Sequence, residues 1–112
     1  DDKLGTPTYT HDFAINAKLI IEKEIWGLYN LVCQGVTGRY EVAEKILSIL
    51  NLQDNIQLNK VDSSFFKEEY FAPRPDSERL INKKLELRSF NKMRNWNVCL
   101  EEYLKSYYSD YL

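Results

Sequence analysis

The segment APRPDSERLINKKL, residues 72–85, holds the side chain with the clearest chemical potential in this sequence. Arg74 lies between Pro73 and Pro75, and both proline rings restrict the backbone around it. A guanidinium held in one place suits bidentate binding of a diphosphate or a carboxylate. The alternative is an arginine that pairs with Asp76 or Glu78 on a solvated turn. The residues alone favour that alternative, since irregular turns of this composition are common.

Hydroxyl groups are concentrated in GTPTYT, residues 5–10. Thr6, Thr8 and Tyr9 could surround a polar ligand. They could equally be strand-edge residues that lead to Asp12, and the residues alone favour this structural interpretation. Asp12 is predicted to be the N-cap of the first helix, because its carboxylate can accept the free backbone N–H groups of the first turn.

The sequence does not supply a complete active site. Its four glycines, at positions 5, 27, 35 and 38, cannot form a dinucleotide-binding loop or a P-loop. Tyr40 and Lys45 are five residues apart, which is not the one-turn spacing of a reductase Tyr/Lys pair. We therefore predict that this chain contributes no catalytic and no cofactor-binding residue.

The two cysteines, Cys33 and Cys99, lie in apolar surroundings and far apart in the sequence. They are predicted to be reduced, buried thiols of a cytoplasmic protein rather than a disulfide or metal site. His11 is the single histidine, which argues against a zinc site. No metal ligand is predicted.

Composition indicates one folded domain over residues 1–112. Of the 112 residues 44% are hydrophobic, which is typical of a packed chain rather than a disordered one. The net charge is −2 and no long apolar run occurs, so neither a nucleic acid nor a membrane is an expected partner. The basic residues of the C-terminal third are predicted to form a solvated face: Lys83, Lys84, Arg88, Lys92 and Arg94.

Hydrophobic periodicity predicts an α/β fold with three main helices, at about 13–24, 39–51 and 96–110. The apolar stripe of the first helix is Phe13, Ala17, Ile20 and Ile21. Two apolar or alternating runs, 28–33 and 56–61, predict strands on either side of the second helix. Such a βαβ unit would pair the two strands in parallel.

Four stretches, in this order and at these separations, resemble the C-terminal part of the dTDP-4-dehydrorhamnose reductases, a family of extended short-chain dehydrogenase/reductases. They are DDKLGTPTYTHDFA, GLYNLVCQGVTGRYEVAEKIL, APRPDSERLINKKL and MRNWNVCLEEYL. The resemblance covers essentially all 112 residues. One departure is Asn95, where the family often has Pro; Asn95 or Asn97 can cap the last helix instead.

The resemblance implies a two-lobe enzyme in which this chain is the smaller lobe, beginning inside a longer protein. The other, Rossmann lobe would bind NADPH or NADH and carry the catalytic Tyr and Lys. The substrate would be a sugar nucleotide, a dTDP-sugar, whose 4-keto group is reduced. By the same resemblance, Arg74 would lie near the nucleotide phosphates, the turn at residues 5–8 would line the cleft, and Trp96 would pack.

The resemblance leaves two alternatives open. A reductase-like chain can act as a non-catalytic binding subunit, as in the regulatory subunit of methionine adenosyltransferase, with the Tyr-rich last helix as its interface. Epimerase or dehydratase chemistry occurs in the same superfamily. A homo-oligomer is a further expected partner, through apolar surface that the absent lobe would otherwise cover.

Overall fold

The structure, a computed structural model, describes residues 2–69 and 72–111. Four α-helices follow one another along this part of the chain: α1 (Thr10–Glu22), α2 (Arg39–Ile49), α3 (Lys83–Leu87) and α4 (Trp96–Tyr107). Two short 3-10 helices occur at Ser63–Phe66 and Ser109–Tyr111. The three predicted helices are thus present, and the short α3 is an element that periodicity did not predict.

The first three helices end in the same way, without glycine. The second residue after the end of each helix, which directly follows the C-cap, has a positive φ: 52° at Glu24, 54° at Asn51 and 59° at Ser89. The next backbone N–H then donates to a carbonyl of the last turn, as in Ile25 N to Ile20 O at 3.2 Å. The same bond joins residues 52 and 47 and residues 90 and 85. This Schellman closure satisfies helix carbonyls, and it ends α1 two residues earlier than predicted.

The predicted βαβ unit is wrong: in the described residues, 28–33 and 56–61 do not form strands, and only isolated bridges occur. Around Val32 a side chain takes the place of a neighbouring strand. Val32 N donates to Asn82 Oδ1 at 3.0 Å, and Asn82 Nδ2 donates to Val32 O at 2.7 Å. The extended backbone of this run is therefore satisfied by one buried amide, which an apolar pattern cannot reveal.

Helix α1 presents two polar side chains to the interior. Its buried residues are Asp12 and Asn16, whereas Phe13 is 46% and Ile21 59% exposed. Asn16 bonds to the backbone of the segment before α4: its Nδ2 donates to Phe90 O at 3.0 Å and its Oδ1 accepts from Lys92 N at 2.8 Å. Of the apolar stripe of this helix, Phe13 and Ile21 thus lie on the surface, and Ala17 and Ile20 are half-buried.

The prediction that Asp12 is the N-cap of α1 is wrong. The N-cap position is Tyr9, which makes no side-chain capping bond, and Asp12 lies in the first turn with its carboxylate buried. At α4 the predicted cap is confirmed, since the Asn95 side chain accepts from Asn97 N at 3.2 Å. Within α4, Lys105 Nζ pairs with Glu101 Oε1 at 2.6 Å, one helical turn away.

The core is small and centres on Cys33, Met93 and Cys99, with Tyr9, Leu31 and Trp96 packed around them. Trp96 therefore has the packing role that the resemblance implied. Helices α2 and α4 pack against each other beside this core. Six apolar residues at helical spacing along α2 and at its C-cap are half-buried: Val42, Ala43, Ile46, Leu47, Ile49 and Leu50.

The apolar residues Phe65, Phe66, Tyr70 and Phe71 predict that their segment packs onto the rest of the domain. Phe65 is 71% exposed, and its ring contacts Phe66 edge to face at a centroid distance of 5.1 Å. Tyr70 and Phe71, which belong to the same expectation, lie outside the described residues. For Phe65 the expectation of burial is wrong.

Candidate ligand-binding site

The N-terminal segment brings the two predicted ligand-binding stretches together. Leu4 N donates to Asp76 O at 2.9 Å, and Glu78 N donates to Leu4 O at 2.8 Å. On the other side, Gly5 and Thr37 exchange two backbone hydrogen bonds, both of 3.0 Å. Residues 4 and 5 thus lie between the Arg-Pro turn and the loop that leads into α2.

Arg74 is exposed at the edge of this arrangement. Its carbonyl accepts from Lys3 Nζ at 3.1 Å, which fixes the backbone that the flanking prolines already restrict. The same ammonium pairs with Asp76 Oδ1 at 2.6 Å. Asp76 was the expected partner of Arg74 on a solvated turn, and Lys3 takes it instead. Within residues 2–69 and 72–111, the Arg74 guanidinium has no ion-pair partner.

Thr6 and Thr8 use their hydroxyl groups to hold the chain around Cys33. Thr6 Oγ1 donates to Gly35 O in a very short hydrogen bond. Thr8 Oγ1 accepts from Cys33 N at 3.3 Å and donates to Thr6 O at 3.5 Å. Both hydroxyls therefore have structural partners, and each keeps oxygen lone-pair capacity for a further donor.

Tyr9 is the N-cap residue of α1, and its side chain contacts α4. Its ring meets Tyr103 edge to face at a centroid distance of 6.0 Å, and Tyr103 in turn contacts Tyr107 and Tyr108. Tyr9 N donates to Cys33 Sγ at 3.4 Å. Of the four predicted site residues, Thr6, Thr8 and Tyr9 thus converge on residues 33–35, and Arg74 stands apart beside Lys3.

An ion cluster that sequence reasoning missed joins α1 to α4. Arg94 grips Asp12 with two hydrogen bonds, Nη2 to Oδ1 at 2.7 Å and Nε to Oδ2 at 2.9 Å. Its remaining Nη1 reaches Glu102 Oε2 at 2.5 Å. The prediction that Arg94 belongs to a solvated face is therefore wrong. The pattern of basic and apolar residues around Arg94 does not indicate that its partner is Asp12, 82 positions earlier in the sequence.

Electrostatics in this cluster favour the charged forms. Hydrogen bonding to Arg94 lowers the pKa of Asp12 and of Glu102, and the two carboxylates raise the pKa of Arg94. A carboxylate with a depressed pKa that is saturated by a guanidinium is a poor general base near neutral pH. The cluster fixes structure and does not resemble an acid–base pair.

The two cysteines meet the same cluster. Cys33 Sγ lies 3.7 Å from Cys99 Sγ, and Cys99 Sγ donates to Asp12 Oδ2 at 3.3 Å. Both thiols are buried, as predicted. Together with Asp12 they place three potential metal-ligating atoms within 4.8 Å of one another, a proximity that the sequence did not suggest.

A cleft of about 230 Å³ lies beside this region, between residues 32–36 and 80–82. Its polar wall includes Gln34, Glu86 and Asn91. Arg74, Thr6, Thr8 and Tyr9 do not line it. This cleft can hold a ligand. In the Asp12–Arg94–Glu102 cluster the charges pair with one another, so the cluster supplies no general base.

In the described part of the chain, none of the helices combines the length and the apolar character needed to cross a membrane. The family model described as RmlD substrate binding domain matches residues 1–109. Among curated proteins, the spore coat polysaccharide biosynthesis protein SpsK of Bacillus subtilis is 31% identical over 106 residues. That match covers 93% of this chain and 35% of the relative.

Solved structures give the same result. A dTDP-4-dehydrorhamnose reductase from Clostridium acetobutylicum superposes with a TM-score of 0.86 at 28% identity, over 94% of this chain and 36% of that one. The enzyme from Bacillus anthracis, solved in complex with NADP, gives 0.84 at 27% identity, again over 94% and 36%. The enzyme from Yersinia enterocolitica gives 0.83 at 26% identity, over 95% and 36%. The chain thus spans about a third of the length of these relatives.

Proposed function

Because the chain belongs to the RmlD substrate binding domain family, we propose that it is the sugar-nucleotide-binding lobe of an NAD(P)H-dependent reductase. The proposed reaction reduces the 4-keto group of dTDP-4-dehydro-L-rhamnose and gives dTDP-L-rhamnose. The observation that carries this proposal is the family match over residues 1–109. The superposition on three dTDP-4-dehydrorhamnose reductases supports it. Residues 1–112 form one domain in this proposal, in a cytoplasmic protein.

The nicotinamide cofactor does not fit the residues of this chain. A dinucleotide site needs a Gly-rich turn between a strand and a helix. In the described residues regular strands do not form, and Gly38, the N-cap of α2, follows an isolated bridge at Thr37. We therefore assign the cofactor, NADPH or NADH, and the hydride step to the rest of the protein. This chain's part is to bind and orient the sugar nucleotide.

Arg74 is the residue that we assign to the diphosphate. Its backbone is fixed by Lys3 and by two prolines, its expected acidic partner is neutralised by Lys3, and its guanidinium is exposed. A planar guanidinium can donate two parallel hydrogen bonds to phosphate oxygens. Thr6, Thr8 and Tyr9 complete the proposed site as the loop that Cys33 and Gly35 anchor.

Substituting Arg74 tests this assignment in the whole protein. We expect Arg74→Ala to weaken binding of dTDP and of the dTDP-sugar by about 1.5–3 kcal/mol, the range for a hydrogen bond to a charged group. Calorimetric titration measures both constants. Arg79→Ala is the matched control, because Arg79 Nε already donates to Ser77 Oγ at 2.7 Å. The affinity of this variant for dTDP and for the dTDP-sugar should equal that of the wild type. Equal affinity of the Arg74 variant and the wild type would remove Arg74 from the site.

A reductase assay separates this function from its competitors. Consumption of NAD(P)H with dTDP-4-dehydro-L-rhamnose, and formation of the 4-hydroxy sugar, support the proposal. A change of configuration or loss of water without net NAD(P)H consumption would instead indicate an epimerase or dehydratase.

A binding subunit without catalysis is the second candidate. It is favoured by the aromatic cluster of Tyr103, Tyr107 and Tyr108 on the surface of α4. Tyrosine is enriched at protein interfaces because it combines apolar area with a polar tip. A stable complex with a partner protein, in the absence of turnover, would favour this candidate; a homo-oligomer seen by light scattering is compatible with either one.

A further inference from the structure

Cys33 and Cys99 are brought into van der Waals contact although 66 positions separate them. Their sulfur atoms are 3.7 Å apart, and the two residues are 1% and 2% exposed. Cys33 precedes the bridge at Gln34, and Cys99 lies near the start of α4. We propose that these two residues are a dithiol that oxidises to an internal disulfide bond, a modification site buried beneath the Thr6–Tyr9 loop.

A metal ion between the same atoms is the competing use of this cluster, and the hydrogen bonds argue against it. Asp12 Oδ1 and Oδ2 are both occupied by Arg94, and Oδ2 also accepts from the Cys99 thiol. A metal that used Asp12 would have to displace a paired guanidinium. Structural zinc sites need four ligands, and the described residues offer three here. A disulfide uses the two sulfurs alone and leaves the Asp12–Arg94 pair in place.

The geometry requires only a small movement. A disulfide has an S–S distance of about 2.0 Å, so the sulfurs must approach by roughly 1.7 Å. Oxidation removes the two S–H donors, so Cys99 gives up its hydrogen bond to Asp12 Oδ2 and Cys33 gives up its contact with Cys99 Sγ. The Cys33 sulfur keeps the lone pair that accepts from Tyr9 N. The new bond would join the segment before α2 to α4, two parts of the chain that already pack in one core.

The oxidation is a two-electron step. The two thiols lose two protons and two electrons as the S–S bond forms. A small disulfide such as oxidised glutathione can accept them through a mixed disulfide, and two glutathione thiols leave. Burial, together with the Asp12 carboxylate and Cys33, raises the pKa of Cys99 to about 12. The thiolate is therefore scarce at neutral pH, so the exchange should be slow in the folded protein.

The test is a redox titration of the intact protein with glutathione and glutathione disulfide, in buffer and in urea. Non-reducing peptide mass mapping measures the fraction of Cys33–Cys99 linked peptide at equilibrium. We expect the equilibrium constant for forming the disulfide to be at least tenfold larger in the native state, because folding holds the sulfurs together. By linkage, the tenfold factor is about 1.4 kcal/mol of extra stability, and the oxidised protein should melt at higher temperature.

Cys33→Ala and Cys99→Ala are the matched controls, since each leaves one thiol and should give only a glutathione adduct. The wild-type titration does not depend on whether these variants fold. An equilibrium constant that is equal or larger in urea would overturn the proposal. Binding of one zinc ion by the wild type but neither variant, with loss of oxidation, would assign the cluster to a metal instead.

Discussion

Arg94 alone connects three parts of the chain: α1, α4 and the segment around Gln34. Its guanidinium binds Asp12 of α1 and Glu102 of α4, its N–H donates to Asp12 Oδ2 at 3.3 Å, and its carbonyl accepts from Gln34 N at 2.9 Å. Asp12 is buried, so its charge depends on this partner. An ionic contact therefore joins α1 to α4 and to the segment that precedes α4.

Asp12→Asn tests this contact. The variant should unfold with a free energy lower by about 2 kcal/mol, below the range for a fully buried pair because the Arg94 side chain is partly exposed. Urea denaturation at neutral pH measures the difference. Glu102→Gln is the control, with a smaller loss expected, since Glu102 is half-exposed.

The difference between wild type and Asp12→Asn should also depend on pH. Arg94 lowers the pKa of Asp12 in the folded state below its ordinary value of 3.8. The stabilisation is therefore complete above about pH 4, and it is lost as the pH falls through the lower folded-state pKa. A difference that stays constant down to pH 2 would contradict this origin.

For single residues, the sequence indicated which side chains matter to the structure better than it indicated their interaction partners. Asp12 was correctly singled out at the start of α1, but its expected partners were local N–H groups, and its actual partner is 82 residues away. The same holds for Cys33 and Cys99, whose burial was predicted and whose contact was not. Helix periodicity does not encode such distant pairings, which depend on how segments cross in space.

At the scale of the elements, the side chains of two buried asparagines bind backbone groups that a neighbouring strand would bind in a sheet. Asn82 binds both backbone groups of Val32 and donates to Asn91 Oδ1 at 3.2 Å. Asn16 in turn binds the backbone of Phe90 and Lys92. Side-chain amides thus join α1 and the segments around residues 32 and 91, where a sheet would use a ladder.

Asn82→Ala should destabilise the protein by about 2 kcal/mol, because it leaves backbone groups of Val32 without their partners. Thermal or urea unfolding measures the loss. Asn30→Ala is the matched control: Asn30 Nδ2 also donates to a backbone carbonyl, that of Ile81 at 3.2 Å, but the contact is exposed. Similar losses for the two variants would show that burial of the amide is not what matters.

Gly35 fixes the approach of the 33–37 loop to α4. Its φ is 93°, and a Cβ there would lie 2.9 Å from Trp96 Cδ1 and 3.1 Å from Asn95 Nδ2. We expect Gly35→Ala to cost about 1–3 kcal/mol from backbone strain, before any displacement of Trp96.

Gly5→Ala is the corresponding control, because a Cβ at Gly5 meets nothing within 4 Å. It should be nearly neutral in the same denaturation experiment. A Gly35→Ala loss no larger than the Gly5→Ala loss would show that the loop can move away from Trp96.

The helices could be predicted from the sequence and the strands could not, for a physical reason. Apolar spacing in α2 and the asparagine at the start of α4 are local signals, and both elements form as predicted. The run at 28–33 has the composition of a buried strand, yet its partner is the side chain of Asn82, which lies 50 residues after Val32. The candidate site shows the same difference between local and distant signals. Arg74 could be singled out because of its neighbouring prolines, but the sequence does not reveal that Lys3, 73 positions before Asp76, takes Asp76 as its ion-pair partner.

As a whole, the molecule is a flat slab, with principal extents of 48, 37 and 20 Å. Its radius of gyration is 16.7 Å, where a domain of this length typically has about 13 Å. Its accessible surface is 8424 Å², where a compact monomer of 13.3 kDa has about 6,500 Å². Large apolar side chains contribute to this surface, among them Trp26, Leu28 and Leu87. This shape suits a lobe that covers another body.

The thin, partly polar interior has a calorimetric consequence. The heat capacity change of unfolding grows with the apolar area that becomes exposed and falls with the polar area. A slab that already exposes so much apolar surface, and that buries Asp12, Asn16 and Asn82, should therefore give a value below about 1.3 kcal/mol/K, the lower end for 112 residues. Differential scanning calorimetry of the chain measures it, and a value well above that limit would point to a larger dry core. With so small a heat capacity change, the stability curve is shallow, so the lobe loses little stability on cooling and its resistance to cold denaturation exceeds that of a compact domain of equal melting temperature.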